Sequence, residues 1–216
     1  MIWLTSGLFS SFFLGSFVSL LTIINPLSAI PLFNALSVHL DDRDTETLAR
    51  DASVYAFAIL FVSLFAGSLI LSTFGISYGA LRIAGGLIVA LLGHSMLFGR
   101  QQQSATSADA GQNPAFFPLA LPGISGPGSI AVVIGISTEL REVTGVANTA
   151  LAWMATVGAM ACTCLLTWFV LRSARLISNR LGRNGIEVMT RLMGFLLICI
   201  GVQFIASGIR TFISGI

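Results

Sequence analysis

Residues 7–36 of the chain read GLFSSFFLGSFVSLLTIINPLSAIPLFNAL, a stretch without a single charged side chain. A helix needs roughly 20 apolar residues to cross the hydrocarbon core of a bilayer. The stretch is therefore long enough for one crossing with residues to spare. Asn25-Pro26 and a second proline, Pro31, interrupt it. Because proline removes a helical hydrogen bond and clashes with the preceding turn, we expect a membrane-spanning helix that breaks within its length.

The composition of the whole chain agrees with a membrane location. Of the 216 residues, 55% are hydrophobic and 9% are charged, whereas a soluble domain usually carries about 25% charged residues. Further uncharged runs cover residues 52–81, 83–99, 110–138, 143–171 and 192–209. We expect an all-α, polytopic membrane protein with six transmembrane helices, at residues 8–36, 52–72, 80–98, 115–138, 146–171 and 191–211.

The arginines indicate how these spans are oriented, because short cytoplasmic loops carry an excess of basic residues. The loops after the first, third and fifth predicted spans hold Arg43, Arg50, Arg100, Arg172, Arg175, Arg180 and Arg183. The opposite loops hold Arg82, Arg141 and Arg210. This distribution predicts that both termini lie outside the cytoplasm. The net charge of +2, without a basic run interleaved with aromatic residues, excludes nucleic acid as a partner.

The two halves of the chain share the same pattern of interruptions. Asn25-Pro26-Leu27-Ser28 in the first half matches Gly126-Pro127-Gly128-Ser129 in the second, and Arg82-Ile83-Ala84-Gly85 matches Arg191-Leu192-Met193-Gly194. These matches predict two three-helix units, residues 1–99 and 115–216, joined by a polar linker at 100–114. Because three is odd, the second unit is inverted, as in many secondary transporters. Chance similarity between glycine- and proline-rich helices is the alternative.

The prolines predict a binding site at the breaks of helices 1 and 4. Pro26 and Pro127 leave the carbonyl groups of Thr22 and Gly123 without a helical donor. A broken helix also presents unpaired N–H groups at the start of its second half. We expect these N–H groups, with Ser28 and Ser129, to bind a carboxylate. The ammonium of the same ligand would contact the two carbonyls and Asn25.

Small residues at the second break limit the size of the ligand. Gly126 and Gly128 leave little room beyond a hydrogen or a methyl group at the α-carbon of a bound molecule. The substrate-binding residues expected from the sequence are Thr22, Asn25, Pro26, Ser28, Gly123, Gly126, Pro127, Gly128 and Ser129. The alternative is a simple proline kink repaired by Ser28, Ser129 and the neighbouring helices.

Four segments give the chain a family resemblance. These are Asn25 to Phe33, Phe74 to Gly86, Pro118 to Gly128 and Arg191 to Gly194. Together they resemble the MarC family of bacterial inner-membrane proteins, whose characterised members include SnatA-like transporters of small neutral amino acids. The resemblance implies six transmembrane helices in an inverted three-plus-three arrangement, and in a bacterial inner membrane the arginine distribution places both termini in the periplasm. It also implies transport of glycine and alanine at a site between the broken first and fourth helices.

The leading hypothesis is secondary transport, in the direction of export. The coupling ion, proton or sodium, stays open because no carboxylate lies well inside a predicted span, and His94 and His39 lie near span ends. Arg82 and Arg191, at the starts of spans three and six, are candidates for gating or for snorkelling to lipid headgroups. No phosphate-binding glycine loop appears, which argues against direct use of ATP.

Two other classes of function remain as alternatives. A membrane-embedded enzyme would need a nucleophile, a metal site or a reactive cysteine pair, and the sequence shows no such constellation. We therefore expect no enzyme, no cofactor and no metal. A structural or assembly protein is the other alternative, in which Gly85, Gly86 and Gly201 serve helix packing or the formation of a homo-oligomer.

Overall fold

The computed structural model describes residues 2–98 and 113–213, and within them the chain is helical. The helices are α1 (Ile2–Ile24), α2 (Ile30–Ser37), α3 (Asp42–Thr73), α4 (Tyr78–Phe98), α5 (Pro127–Glu142), α6 (Val146–Arg172) and α7 (Ala174–Ile213). A short 3-10 helix, Pro26–Ala29, joins α1 to α2, and an irregular helical segment, Ala115–Ile124, precedes α5. The predicted linker at 100–114 falls almost entirely outside the described residues.

The described residues contain five helical stretches that are long and apolar enough to cross a membrane. They are Gly7–Ser37, Asp42–Thr73, Tyr78–Phe98, Val146–Arg172 and Asn184–Ile213. A sixth crossing results when Ala115–Ile124 and Pro127–Arg141, which are bent by 64° relative to each other, count as one span. The all-α membrane class is confirmed, with five spans or six depending on that bent pair.

The distribution of apolar side chains suits a lipid environment. Large aliphatic side chains such as Leu69, Leu91 and Met154 stay more than half exposed. The interior holds fully buried apolar side chains from several spans, among them Phe33 and Leu60. Buried hydroxyl groups in the interior, such as those of Thr163 and Thr167, donate to the carbonyl four residues earlier in the same helix. Because lipid offers no hydrogen bonds, this internal pairing is required.

Helices α4 and α7 lie antiparallel and approach each other closely through glycines spaced seven residues apart. A Cβ atom on Gly86 would lie 2.6 Å from the carbonyl oxygen of Gly201, and one on Gly201 would lie 2.6 Å from that of Gly86. Gly79 meets Gly208, and Gly93 meets Gly194, in the same way. Only glycine permits such an approach.

The sequence alone left open whether Gly85, Gly86 and Gly201 serve helix packing or dimerisation. Packing within the chain accounts for all three. Gly86 and Gly201 face each other across the α4–α7 contact, and Gly85 lies against Ala131 of α5, whose Cβ would be 3.0 Å from a Cβ on Gly85. All three contacts are within one chain.

Successive spans alternate in direction, which gives the bundle two distinct ends. The open end, as we name it, holds the loops at 74–77 and 143–145. The clamped end holds the loop at 38–41 and the corner between α6 and α7 at Ser173. Arg175 connects the two corners of the clamped end, since its guanidinium donates to the carbonyl oxygen of Leu40 at 2.8 Å and to the carboxylate of Asp42.

Further contacts strengthen the clamped end. The Arg175 guanidinium also donates to the Thr45 hydroxyl at 2.9 Å and to the carbonyl oxygen of Ser37 at 3.2 Å. One turn earlier, Arg172 forms an ion pair with Glu46 at 2.8 Å. The ends of α6 and α7 are thus tied to the ends of α2 and α3 by charge-assisted hydrogen bonds, which are stronger than neutral ones.

Candidate functional site

The first break lies where α1 ends, at Asn25. This residue has a left-handed backbone, with φ 41° and ψ 73°. Its N–H still donates to the carbonyl oxygen of Leu21 at 3.0 Å, but Pro26 has no N–H with which to continue the helix. Ser28 then donates twice to the carbonyl oxygen of Asn25, from its N–H at 2.8 Å and from its hydroxyl at 2.7 Å.

The second break lies before α5 and is spread over more residues. Phe117 and Leu121 have extended backbones, with ψ of 127° and 115°. Each precedes a proline, whose ring disfavours the helical conformation of the residue before it. After this segment α5 begins at Pro127, and the Ser129 hydroxyl donates to the carbonyl oxygen of Gly126 at 2.8 Å.

The polar side chains at both breaks already form hydrogen bonds, and these bonds differ in strength. The hydroxyl hydrogens of Ser28 and Ser129 bond to backbone carbonyls, as the proline-kink alternative expects. A bound carboxylate would need them to leave those partners. The amide of Asn25 donates to the sulfur of Met193 at 3.1 Å. A thioether is a weak acceptor, so exchanging that bond for a ligand oxygen costs little.

The two breaks lie beside each other in the bundle. A Cβ atom on Gly128 would lie 3.4 Å from the side chain of Ile23, just before the first break, and 2.3 Å from that of Val89. A Cβ on Gly123 would lie 3.1 Å from the side chain of Leu32 in α2. Gly128 is thus closely packed by neighbouring helices in this conformation, with no open space at its α-carbon. The binding roles of both glycines remain predictions.

A cavity of about 610 Å³, with both polar and apolar lining residues, leads from the surface to the first break. It extends along α1 from Ser11 to Thr22, a distance of roughly 17 Å at 1.5 Å per residue. That is about half of a 30 Å hydrocarbon core. Its polar and charged lining residues are Ser11, Ser16, Ser19, Thr22, Tyr78, Arg82, Glu139 and Gln203. The cavity lies toward the open end, because α1 starts there, α4 starts there and α5 ends there.

Several of these residues carry signals that were missed in the sequence. Ser11, Gly15, Ser19 and Thr22 recur at the spacing of one helix face, which is the face that lines the cavity. Glu139 ends the uncharged run of the fourth predicted span and lies in α5. A carboxylate at that position is costly in a membrane unless it faces a polar cavity.

The two arginines proposed as gates have different surroundings. Arg82 lines the cavity, and its guanidinium lies 4.4 Å from the centre of the Tyr78 ring. Arg191 lies outside the cavity lining and pairs with Glu187, one turn earlier in α7, at 2.7 Å. Both members of that pair are well exposed. The cavity thus includes Thr22 and Arg82 of the predicted site residues, Arg191 lies on α7 outside it, and the others lie at or next to the two breaks.

Comparison with known proteins gives a consistent relationship along the chain. Residues 10–213 match the MarC family integral membrane protein model. Inner membrane protein MarC of Escherichia coli and that of Shigella flexneri are each 41% identical over 206 residues, which is 89% of this chain and 91% of the relative. No solved structure matches. The chain belongs to the MarC family of integral membrane proteins, and its relatives are inner-membrane proteins.

Proposed function

We propose that the chain is a secondary transporter that exports small neutral amino acids, glycine and alanine, across the bacterial inner membrane. The carrying observation is the one-sided cavity, which runs from the open end to the break in the first span while Arg175 ties the opposite end together. Alternating access requires a central site that one side reaches at a time. An assembly protein needs no such path, and an enzyme would need reactive groups at its end.

An inverted three-plus-three repeat with broken helices 1 and 4 forms part of the proposal. Its first support is that Ser28 bonds to the Asn25 carbonyl as Ser129 bonds to the Gly126 carbonyl, at 2.7 and 2.8 Å. Both bonds join residues three apart, and equivalent members of the two halves lie 101 positions apart. The same local geometry at matched positions is what a duplicated unit predicts.

The glycine contacts of α4 and α7 provide the second support. Gly79, Gly86 and Gly93 correspond to Gly194, Gly201 and Gly208 at an offset of 115. Gly79 contacts Gly208 and Gly93 contacts Gly194, which is the reciprocal pairing that a two-fold axis between the helices requires. This register differs from the offset of 109 that the arginine motifs suggest, and in it Arg82 and Arg191 are not equivalent.

The breaks favour a small zwitterion as the substrate. The first turn of α5 has N–H groups without helical partners and a positive dipole end, and Asn25 adds an amide held only by a thioether. Val89 and Ile23 fill the space at the α-carbon of Gly128 in this conformation, so the size limit on the ligand rests on the small residues Gly126 and Gly128 themselves. The family resemblance supplies glycine and alanine. With the basic loops in the cytoplasm, both termini are periplasmic and the open end faces the periplasm.

A flux assay in proteoliposomes tests the transport proposal. We expect vesicles loaded with unlabelled glycine to accumulate labelled glycine and alanine well above protein-free vesicles, and to exclude labelled leucine and glutamate. Asn25→Gly removes the amide but keeps a residue that tolerates the left-handed backbone. Because the variant loses one hydrogen bond to a charged ligand, we expect its glycine flux to be at most about one tenth of the wild-type flux.

Asn148→Ala is the control for this variant, because Asn148 is half-buried near the start of α6, away from both breaks. It should transport at the wild-type rate. Wild-type flux equal to that of protein-free vesicles for every amino acid would reject the proposal. Wild-type flux in Asn25→Gly would reject the break as the site of recognition. Imposed proton and sodium gradients then identify the coupling ion.

A further inference from the structure

Two side chains of opposite charge face the same cavity from different helices. Arg82 lies on the second turn of α4, and Glu139 lies on the last full turn of α5. The other polar groups of the lining are hydroxyls and the amide of Gln203. Ionised groups inside membrane proteins are rare and usually mark a substrate or ion pathway. Neither residue was assigned a place in the proposed transport site at the breaks.

A close contact between Tyr78 and Gly135 joins the two helices that carry these charges. Tyr78 and Arg82 are one turn apart on α4, and Gly135 and Glu139 are one turn apart on α5. A Cβ atom on Gly135 would lie 1.7 Å from the Tyr78 hydroxyl oxygen, so glycine is what lets the tyrosine ring pack against α5. Arg82 and Glu139 each lie one turn from this contact, and both line the cavity beside it.

Arg82 and Glu139 line the same cavity but do not form an ion pair with each other. Within the described residues, neither Arg82 nor Glu139 takes part in a salt bridge. The guanidinium of Arg82 lies 4.4 Å from the centre of the Tyr78 ring, which holds the group in place at the cavity wall. Glu139 is exposed to the cavity and the surface.

We propose that Arg82 and Glu139 form an outer binding site for zwitterionic amino acids at the mouth of the cavity. Arg82 binds the α-carboxylate, for which a planar guanidinium offers two parallel N–H donors. Glu139 binds the α-ammonium. The pair selects molecules that carry both charges and rejects simple carboxylates and simple amines. The site precedes the helix breaks on the path from the open end, and it rests on the proposed transport function.

Ligand-induced stabilisation in detergent tests the outer site. A ligand that binds only the folded protein raises the melting temperature as its concentration passes the dissociation constant. We expect glycine and alanine to stabilise the wild type, and acetate and methylamine to do so only at far higher concentration. Arg82→Gln and Glu139→Gln should each weaken glycine binding by about 10- to 100-fold, since each removes one charge-assisted contact.

The matched controls change the same residue types away from the cavity. Arg180→Gln on α7 and Glu187→Gln, whose side chain is 60% exposed, should bind glycine like the wild type. A second readout separates recognition from general damage, because Glu139→Gln should lose its preference for glycine over acetate. If either glutamine variant does not yield folded protein, Arg82→Lys and Glu139→Asp replace it, and each should still weaken glycine binding.

The outcomes separate this inference from the transport proposal. The outer site alone would be overturned if glycine stabilises the wild type but both Arg82→Gln and Glu139→Gln keep the wild-type affinity for glycine and the wild-type preference for glycine over acetate. No stabilisation of the wild type by any amino acid, together with no flux in proteoliposomes, would overturn both. Weakened glycine binding with a lost preference for zwitterions supports the site.

Discussion

Asn25 has a positive φ, which no other non-glycine residue shares in the described part of the chain. The left-handed region is unfavourable for most L-residues by about 1–2 kcal/mol, and asparagine tolerates it better than others. The two bonds from Ser28 to the Asn25 carbonyl hold the turn in place. At the scale of single residues, the first break is therefore set by an asparagine that can adopt this conformation and a proline that cannot continue the helix.

Two substitutions of Asn25 distinguish its backbone role from its side-chain role. Both Asn25→Gly and Asn25→Ala remove the amide, but alanine adds the steric penalty of the left-handed backbone. We expect Asn25→Ala to unfold at a lower temperature than Asn25→Gly by roughly 2–8 °C, from about 1–2 kcal/mol in a chain of this size. Thermal unfolding in detergent without ligand measures the difference. Equal melting temperatures would mean that Asn25 leaves this conformation readily.

Helices α4 and α7 form the most intimate contact between two elements, and their glycines are its cause. Gly201→Ala places a methyl group 2.6 Å from the Gly86 carbonyl oxygen, so the helices must separate. Overpacking of this kind costs about 1–3 kcal/mol, which predicts a melting temperature lower by roughly 2–12 °C. Gly7→Ala is the matched control, because a Cβ there meets nothing within 4 Å. Equal effects of the two substitutions would contradict the close contact.

The elements themselves were largely predictable from the sequence, because span length and apolarity are local properties. The extended residues Phe117 and Leu121 follow from Pro118 and Pro122. The register of α4 against α7 was not predictable from the arginine motifs, since the ion pair of Arg191 is formed within α7, with Glu187. The seven-residue spacing of the glycines on both helices is compatible with that register, but only the packing shows which glycines contact each other.

The site was less predictable than the elements, for a physical reason. The breaks follow from proline chemistry, which is local. The cavity depends on which helix faces meet, and Ser, Thr and Gly are tolerated on any face of a transmembrane helix. Ser11, Ser19 and Thr22 therefore gave no decisive signal by themselves. Glu139 was overlooked because a carboxylate near the end of an apolar run is equally typical of an interfacial residue.

The two ends of the whole molecule differ in a way that matters for transport. At the open end, the cavity separates α1 from α4 and α5. At the clamped end, Arg175 joins α7 to the corner between α2 and α3 through four hydrogen-bonding partners. If the molecule alternates between two arrangements, the contacts of Arg175 belong to the arrangement that is open at the opposite end. Removing them should shift the population toward the other arrangement.

Arg175→Gln tests this shift through the accessibility of Ser37, which is 2% exposed at the clamped end. In a protein with Cys162, Cys164 and Cys199 replaced by alanine, Ser37→Cys should react slowly with a water-soluble maleimide. Adding Arg175→Gln should speed the reaction about tenfold, because bonds with a net worth of about 1–2 kcal/mol shift a two-state equilibrium by roughly that factor.

Arg180→Gln is the control for this experiment, because Arg180 is exposed on the same helix and should leave the labelling rate unchanged. Local loosening is separated from a change of the whole molecule by a second reporter at the open end. Ser19→Cys, at an exposed side chain that lines the cavity, should react more slowly when Arg175 is replaced. Faster labelling at Ser37 alone would show that the clamp acts only on its own corner. Opposite changes at the two ends are what alternating access requires, because closing one end is then the same motion as opening the other.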